Sequence, residues 1–217
     1  MLLLLPLLAA FVLSGCMEGE RGYFADDPFA AGTTTGDPAI DAILVKLDDA
    51  ADGPATAQLT AAYSVLTKSG ITNHTATVAL DSSSGSTQRS IVIDDVHFID
   101  APGVSATCAV DSSSPCTDGL DLARVSNVGI TPNFYASDTA KRLRRDALAK
   151  LGPTLTSAIN VAGFQADCVD LTLPGGTARY CVLATGMLAL LDDGDVRIEL
   201  TALMELVDPA TFVRSGT

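Results

Sequence analysis

The chain contains no tryptophan and only two histidines, and aromatic residues make up just 5% of it. Rings on which bases or sugars stack are therefore scarce. Basic residues are few as well: 13 Lys and Arg stand against 26 Asp and Glu, a net charge of -13 across 217 residues. A surface of that sign repels phosphate backbones, so no nucleic-acid partner is expected. Short catalytic signatures are missing too, with no GxSxG, HExxH, P-loop or SxxK pattern, and neither His74 nor His97 has a partner that the sequence can locate. An enzyme is not expected, and no catalytic residue and no cofactor is nominated. The cysteines lack CxxC spacing and nearby histidines, and Asp192-Asp193-Gly194-Asp195 has the composition of a turn, so no metal site is expected either.

What is present begins with an apolar run. Leu2 to Leu5, Pro6 and Leu7 to Leu13 form a stretch too short for an ordinary transmembrane helix and of the length of a signal-peptide core. Leu13-Ser14-Gly15-Cys16 follows directly and resembles the lipobox of bacterial lipoproteins: an apolar residue, two small ones, then the cysteine that becomes diacylated and N-terminal. The resemblance implies a signal peptide over residues 1–15, a palmitate-bearing Cys16, and a protein lipid-anchored to the cell membrane on its extracytoplasmic side. Such an anchor contributes about 0.8 kcal/mol per buried methylene, so two or three chains give lasting attachment. No Lys or Arg precedes the run, a departure from the basic start of such leaders that fits a translation start upstream of Met1.

Without Cys16 the chain keeps four cysteines, Cys108, Cys116, Cys168 and Cys181, an even number for an oxidising compartment. Val161 to Leu173 and Thr177 to Leu191 flank Pro174-Gly175-Gly176 and form a hairpin pattern. Folding it at the Pro174-Gly175 bond sets Cys168 opposite Cys181, Asp170 opposite Arg179 and Thr172 opposite Thr177. Val169, Leu171, Tyr180 and Val182 then share the other face. By elimination Cys108 pairs with Cys116 across a Ser-rich, turn-forming stretch.

Residues 17–36 are rich in Gly, Thr, Ala and Asp without periodicity, the composition of a flexible tether. Asp37 caps a helix entered through Pro38, with Ile40, Ile43, Leu44 and Leu47 on one face. Strand-like runs follow at Thr56 to Lys68, Thr72 to Leu80, Gln88 to Asp94 and Val96 to Ile99, separated by short polar turns. A second helix spans Ser137 to Leu151, capped by Ser137 or Asp138, with Ala140, Leu143, Ala147 and Leu151 inward. After the cysteine hairpin, a last strand covers Asp195 to Val207.

Helix, antiparallel strands, a helical insertion and more antiparallel strands make a layout that resembles the LolA superfamily, including lipoproteins of the LppX and LprG type. Its textual support is Gly163 to Cys168, Tyr180-Cys181 and Gly186-Met187-Leu188-Ala189. The resemblance implies an α+β fold over residues 37–217: a curved antiparallel half-barrel sheet, covered by helices and enclosing an apolar cavity for lipid or lipidated cargo.

Strand alternation nominates Leu59, Tyr63, Val65, Ile198 and Leu200 as cavity-lining residues. Lys141, Arg142, Arg144 and Arg145 gather, with Lys150, five of the thirteen cations on the second helix and are nominated to face anionic headgroups. The expectation is an anchored monomer whose partners are the membrane and a lipid or other apolar ligand. The alternative is an envelope interaction or sensory domain without a ligand cavity.

Overall fold

A computed structural model describes residues 27–53, 56–111 and 115–214. The leader, Cys16 and residues 17–26 lie outside the described residues. The elements are α1 (Pro38–Asp52), β1 (Gln58–Thr67), β2 (Thr72–Asp81), β3 (Gln88–Ile93), β4 (Val96–Ala101), β5 (Val104–Ala109), β6 (Thr117–Asp118), α2 (Ser137–Ala149), β7 (Leu155–Val161), β8 (Phe164–Leu173), β9 (Gly176–Leu183), β10 (Leu188–Asp192) and β11 (Val196–Met204).

All strands join one open, curved antiparallel sheet of eleven, in the order β6-β5-β4-β3-β2-β1-β11-β10-β9-β8-β7. Two meanders therefore meet where β1 pairs with β11, the one non-sequential neighbour pair in this sheet. Tyr63 lies opposite Leu200 and Val65 opposite Ile198 across that seam. The architecture is α+β, with both helices on one face of a half-barrel.

α1 starts as its sequence dictates: the Asp37 carboxylate accepts the Ala39 N–H at 3.0 Å, with Pro38 next. A helix of 15 residues is marginal alone. It is held by burying Ile40, Ile43, Leu44 and Leu47, which contributes about 2 kcal/mol per side chain. Gly186, with φ at 84°, lets the β9–β10 turn touch the α1 backbone, where an added Cβ would meet Lys46 O and come within 2.8 Å of the Ala50 Cβ.

The cysteine hairpin has the register its residues call for, with Cys168 opposite Cys181, Asp170 opposite Arg179 and Thr172 opposite Thr177. Both disulfides, Cys108–Cys116 and Cys168–Cys181, are present. Its arms are shorter than expected. Val161 belongs to β7, joined to β8 by the two-residue turn Ala162-Gly163, in which both residues have positive φ, 51° and 89°. The other arm breaks before Gly186 into β9 and β10.

Three further expectations are corrected. α2 ends at Ala149 and Lys150 is extended, so Leu151 leaves the inward stripe for solvent. The helix has no side-chain cap, because Asp138 instead accepts the Thr131 hydroxyl. Strict alternation along the last strand puts Ala202, Met204 and Leu206 on the apolar face with Ile198 and Leu200, but on β11 the pairing shifts at Thr201, whose hydroxyl donates to Ala62 O at 3.1 Å. This bulge turns Leu203 inward in place of Ala202 and leaves Met204 and Leu206 exposed.

Residues 32–35 are tied down: Gly32 N–H donates to Asp48, Thr33 O accepts from Arg144, and Thr35 bonds Asp41. The segment 122–136, between β6 and α2, sends Val125, Val128, Ile130, Phe134 and Tyr135 into the core. Leu188 N–H holds the Tyr135 carbonyl at 3.1 Å and the Thr67 hydroxyl holds the Val128 carbonyl at 2.8 Å. No helix among the described residues is long and apolar enough to cross a membrane.

Candidate functional site

Leu59, Tyr63, Val65, Ile198 and Leu200 all stand on the helix-covered face and are buried. The Tyr63 ring meets Phe134 edge to face at 5.0 Å, so the 122–136 segment fills the half-barrel just where these side chains converge. The phenol of Tyr63 has no hydrogen-bond partner there, and burial pushes its pKa far above the ordinary range.

Next to this packed centre an apolar cleft remains, with a volume of about 160 Å³. It is lined by the apolar side chains of Leu191, Val196, Ile198, Ile130 and Phe134 and by the polar Thr131, Asp138 and Arg142. Ile198 alone of the five nominated lining residues reaches it. Ligand pockets of drug-sized molecules run from roughly 300 to 1,000 Å³. By size the cleft takes the end of an acyl chain or one large apolar side chain, not an entire lipid.

The cations of α2 part company. Arg144, 2% exposed, turns inward to pair with Asp48 and to donate to Thr33 O at 2.9 Å, so it stands with the core and not at the surface. The helical spacing that placed it with its neighbours could not reveal this, because its acceptor, Asp48, sits on α1. Lys141, Arg142 and Arg145 do share a surface groove of about 400 Å³, together with Asp27, Phe29 and Asp138. Arg142 also pairs with Asp193 at 2.6 Å and Asp195 at 3.0 Å, yet its Nε finds no acceptor. Arg145 pairs with Asp146 at 3.2 Å, whereas Lys141 makes no ion pair among the described residues.

Arg142 and Asp138 belong both to the apolar cleft and to the basic groove, so the two open beside one another. The groove is also where the chain arrives from its N-terminal side, through Asp27 and Phe29.

Other candidate chemistry is structural. Asp193 accepts the backbone N–H groups of Asp195 and Val196, which makes the acidic run a turn. No group of metal-ligating side chains occurs among the described residues. His97 Nε2 lies 2.8 Å from the Ser90 hydroxyl, but Ser90 is 3% exposed and out of reach of a substrate.

No family model matches the chain, and no curated protein matches it by sequence. Among solved structures it is similar to MucB, with a TM-score of 0.51 and 14% identity, covering 81% of this chain and 62% of that one. The Pseudomonas aeruginosa MucA/MucB complex gives 0.48 and 14%, covering 76% and 56%. LolA superfamily protein NE2245 from Nitrosomonas europaea gives 0.28 and 8%, covering 81% and 97%. The first likeness establishes a shared fold. The chain spans less than two thirds of the length of the MucB structure it matches.

Proposed function

We propose that the chain is an envelope lipoprotein, anchored through Cys16, whose domain binds the apolar end of a lipid beside the membrane surface. One observation carries the reading: the apolar cleft, the basic groove of Lys141, Arg142 and Arg145, and the point where the N-terminal segment arrives adjoin one another. Ten residues, 17–26, separate Cys16 from Asp27, a reach of at most about 40 Å when extended. The anchor therefore keeps that face near the headgroups, where Lys141, the groove cation without an ion pair among the described residues, contributes on the order of 1 kcal/mol. Leu191, Val196 and Ile198 supply the apolar surface for a chain end, and Lys141 in the adjoining groove supports an anionic group next to it.

The cleft volume favours a second reading, an envelope interaction domain in which the same cleft receives an apolar side chain of a protein partner. Native mass spectrometry of the full chain, extracted gently from membranes, separates the two. A stoichiometric lipid adduct lost in Ile198→Glu supports lipid binding. A mass with only the Cys16 lipid, together with a protein partner crosslinked at the cleft, overturns it in favour of the second. Absence of labelled palmitate from the wild-type chain overturns the anchored arrangement itself.

A further inference from the structure

Three side chains outside the cleft stand in the relationship of nucleophile, base and orienting acid. Thr72 and His74, two residues apart on β2, share a face of the strand, and His74 Nε2 is 3.1 Å from the Thr72 hydroxyl. The other ring nitrogen, Nδ1, lies 2.6 Å from Oδ2 of Asp94, in the turn between β3 and β4. A carboxylate there takes the Nδ1–H, so the neutral ring keeps its Nε2 lone pair for the threonine proton. Asp94 is itself fixed. Its Oδ1 accepts the Thr75 N–H at 2.9 Å, and its own N–H donates to Thr75 O at 3.0 Å.

Access separates this trio from the contact between Ser90 and His97. Ser90 is buried, whereas Thr72 is exposed and the His74 side chain, 11% exposed, is largely sheltered from water. In the register of β1 with β2, His74 faces the buried Val65 and Thr72 faces Thr67, whose hydroxyl holds the Val128 carbonyl. The trio therefore sits at the rim of the helix-covered face. Backbone strain gathers there too. Of the three non-glycine residues with positive φ among the described residues, one is Asp94 at 49° and another is Ile71 at 52°, immediately before Thr72. Aspartate tolerates that conformation, but a β-branched residue is an outlier in it, and such strain clusters at reactive sites. Ile71 is also 80% exposed, the highest figure for a large apolar side chain among the described residues.

We propose that Thr72, His74 and Asp94 form a hydrolytic centre for uncharged carboxylic esters. Thr72 is the nucleophile, His74 the general base and then acid, and Asp94 the group that orients the ring. The Thr72 oxygen bonds to the ester carbonyl carbon as its proton passes to His74 Nε2. The bond from that carbon to the alcohol oxygen breaks, and the alcohol leaves with the Nε2 proton. Water then attacks the acyl-threonine and gives a proton to Nε2, and the Thr72 oxygen takes that proton back as the carboxylic acid departs. One ester and one water become one alcohol and one acid. Asp94 and its exposed neighbour Asp95 make the rim unfavourable for anionic esters, and Ile71 offers apolar surface to a short acyl chain. This activity does not depend on what the cleft holds.

The test is hydrolysis of p-nitrophenyl butyrate by the full chain and four variants. Thr72→Val keeps the shape of an exposed side chain and removes the hydroxyl. It and His74→Gln should each lose at least about tenfold of the nitrophenolate release. Asp94→Asn should lower kcat and leave KM unchanged, because it alters the ring and not the binding of the ester. Thr72→Ser should retain turnover, since it presents the same nucleophile with less crowding, and this variant separates loss of the hydroxyl from loss of the fold. Acid quenching followed by peptide mapping should find the butyryl group on Thr72. Wild-type turnover no faster than that of Thr72→Val, a Thr72→Ser variant as slow as Thr72→Val, or a butyryl group on other residues only would each overturn the proposal.

Discussion

The Tyr180 hydroxyl, on β9, donates to Asp146 Oδ2, on α2, over 2.6 Å. It fastens the second helix to the sheet from beneath. Asp146 is 6% exposed, and its only other side-chain partner among the described residues is Arg145 at 3.2 Å. Burial, with the Asp146 charge next, pushes the Tyr180 phenol above its ordinary range, so it remains a donor at all physiological pH. Tyr180→Phe keeps the ring and removes the donor from a buried carboxylate, a loss of about 1 to 3 kcal/mol. Asp146→Asn keeps an acceptor and should lose less. Urea unfolding midpoints at pH 7 compare the two.

The ion pairs of α2 should separate sharply by burial. Arg144→Ala strips the partner from Asp48 inside the protein and unties Thr33, an expected loss of about 3 to 5 kcal/mol. Arg145→Ala removes an exposed partner, worth under about 1 kcal/mol. Equal losses for the two variants in thermal unfolding would contradict the inward placement of Arg144.

Legibility in the sequence follows how locally each feature is determined. The α1 start needs only Asp37 and Pro38, and the hairpin register needs only Cys168, Asp170, Thr172 and their partners a few residues on. β5 and β7 leave no clear pattern in the sequence because Thr, Ser, Ala and Asn dilute the apolar alternation, and each is defined by the neighbour that bonds it. The bulge at Thr201 reverses the inward and outward assignment of everything beyond it on β11, which no period-2 pattern can foresee. In the candidate site, Ile198 and Arg142 belong to separate sequence patterns and meet in one cleft. Ile130 and Phe134, which line it with them, sit in a segment without periodicity, and only the tertiary packing puts them there.

Gly186→Ala should be among the most damaging single-methyl changes. The added carbon meets the Lys46 carbonyl of α1, and the residue keeps a positive φ of 84° that alanine adopts at a cost of roughly 1 kcal/mol. Backbone on the far side cannot rotate away, so α1 must lift from the β9–β10 turn. The expected readout is a lower melting temperature together with faster hydrogen exchange across residues 40–50. A neutral result would mean that α1 does not press on that turn.

Acid should weaken the start of α1 through Asp37. Its hydrogen bond from Lys150 at 2.5 Å, then one from Thr154 at 2.6 Å and the helix cap, lower its pKa from the usual 3.8 to about 2. A carboxylate depressed in the folded state binds fewer protons there than in the unfolded chain. Its stabilisation is therefore complete above about pH 4 and disappears as pH falls through about 2. Asp37→Asn retains a capping oxygen but cannot titrate. The variant should start less stable than the wild type at pH 6, because Lys150 loses its counter-charge, and the gap between them should close between pH 4 and pH 2. Paired urea titrations across that window measure the gap directly, and a difference that stays constant with pH would show that the Lys150 contact does not hold Asp37 ionised.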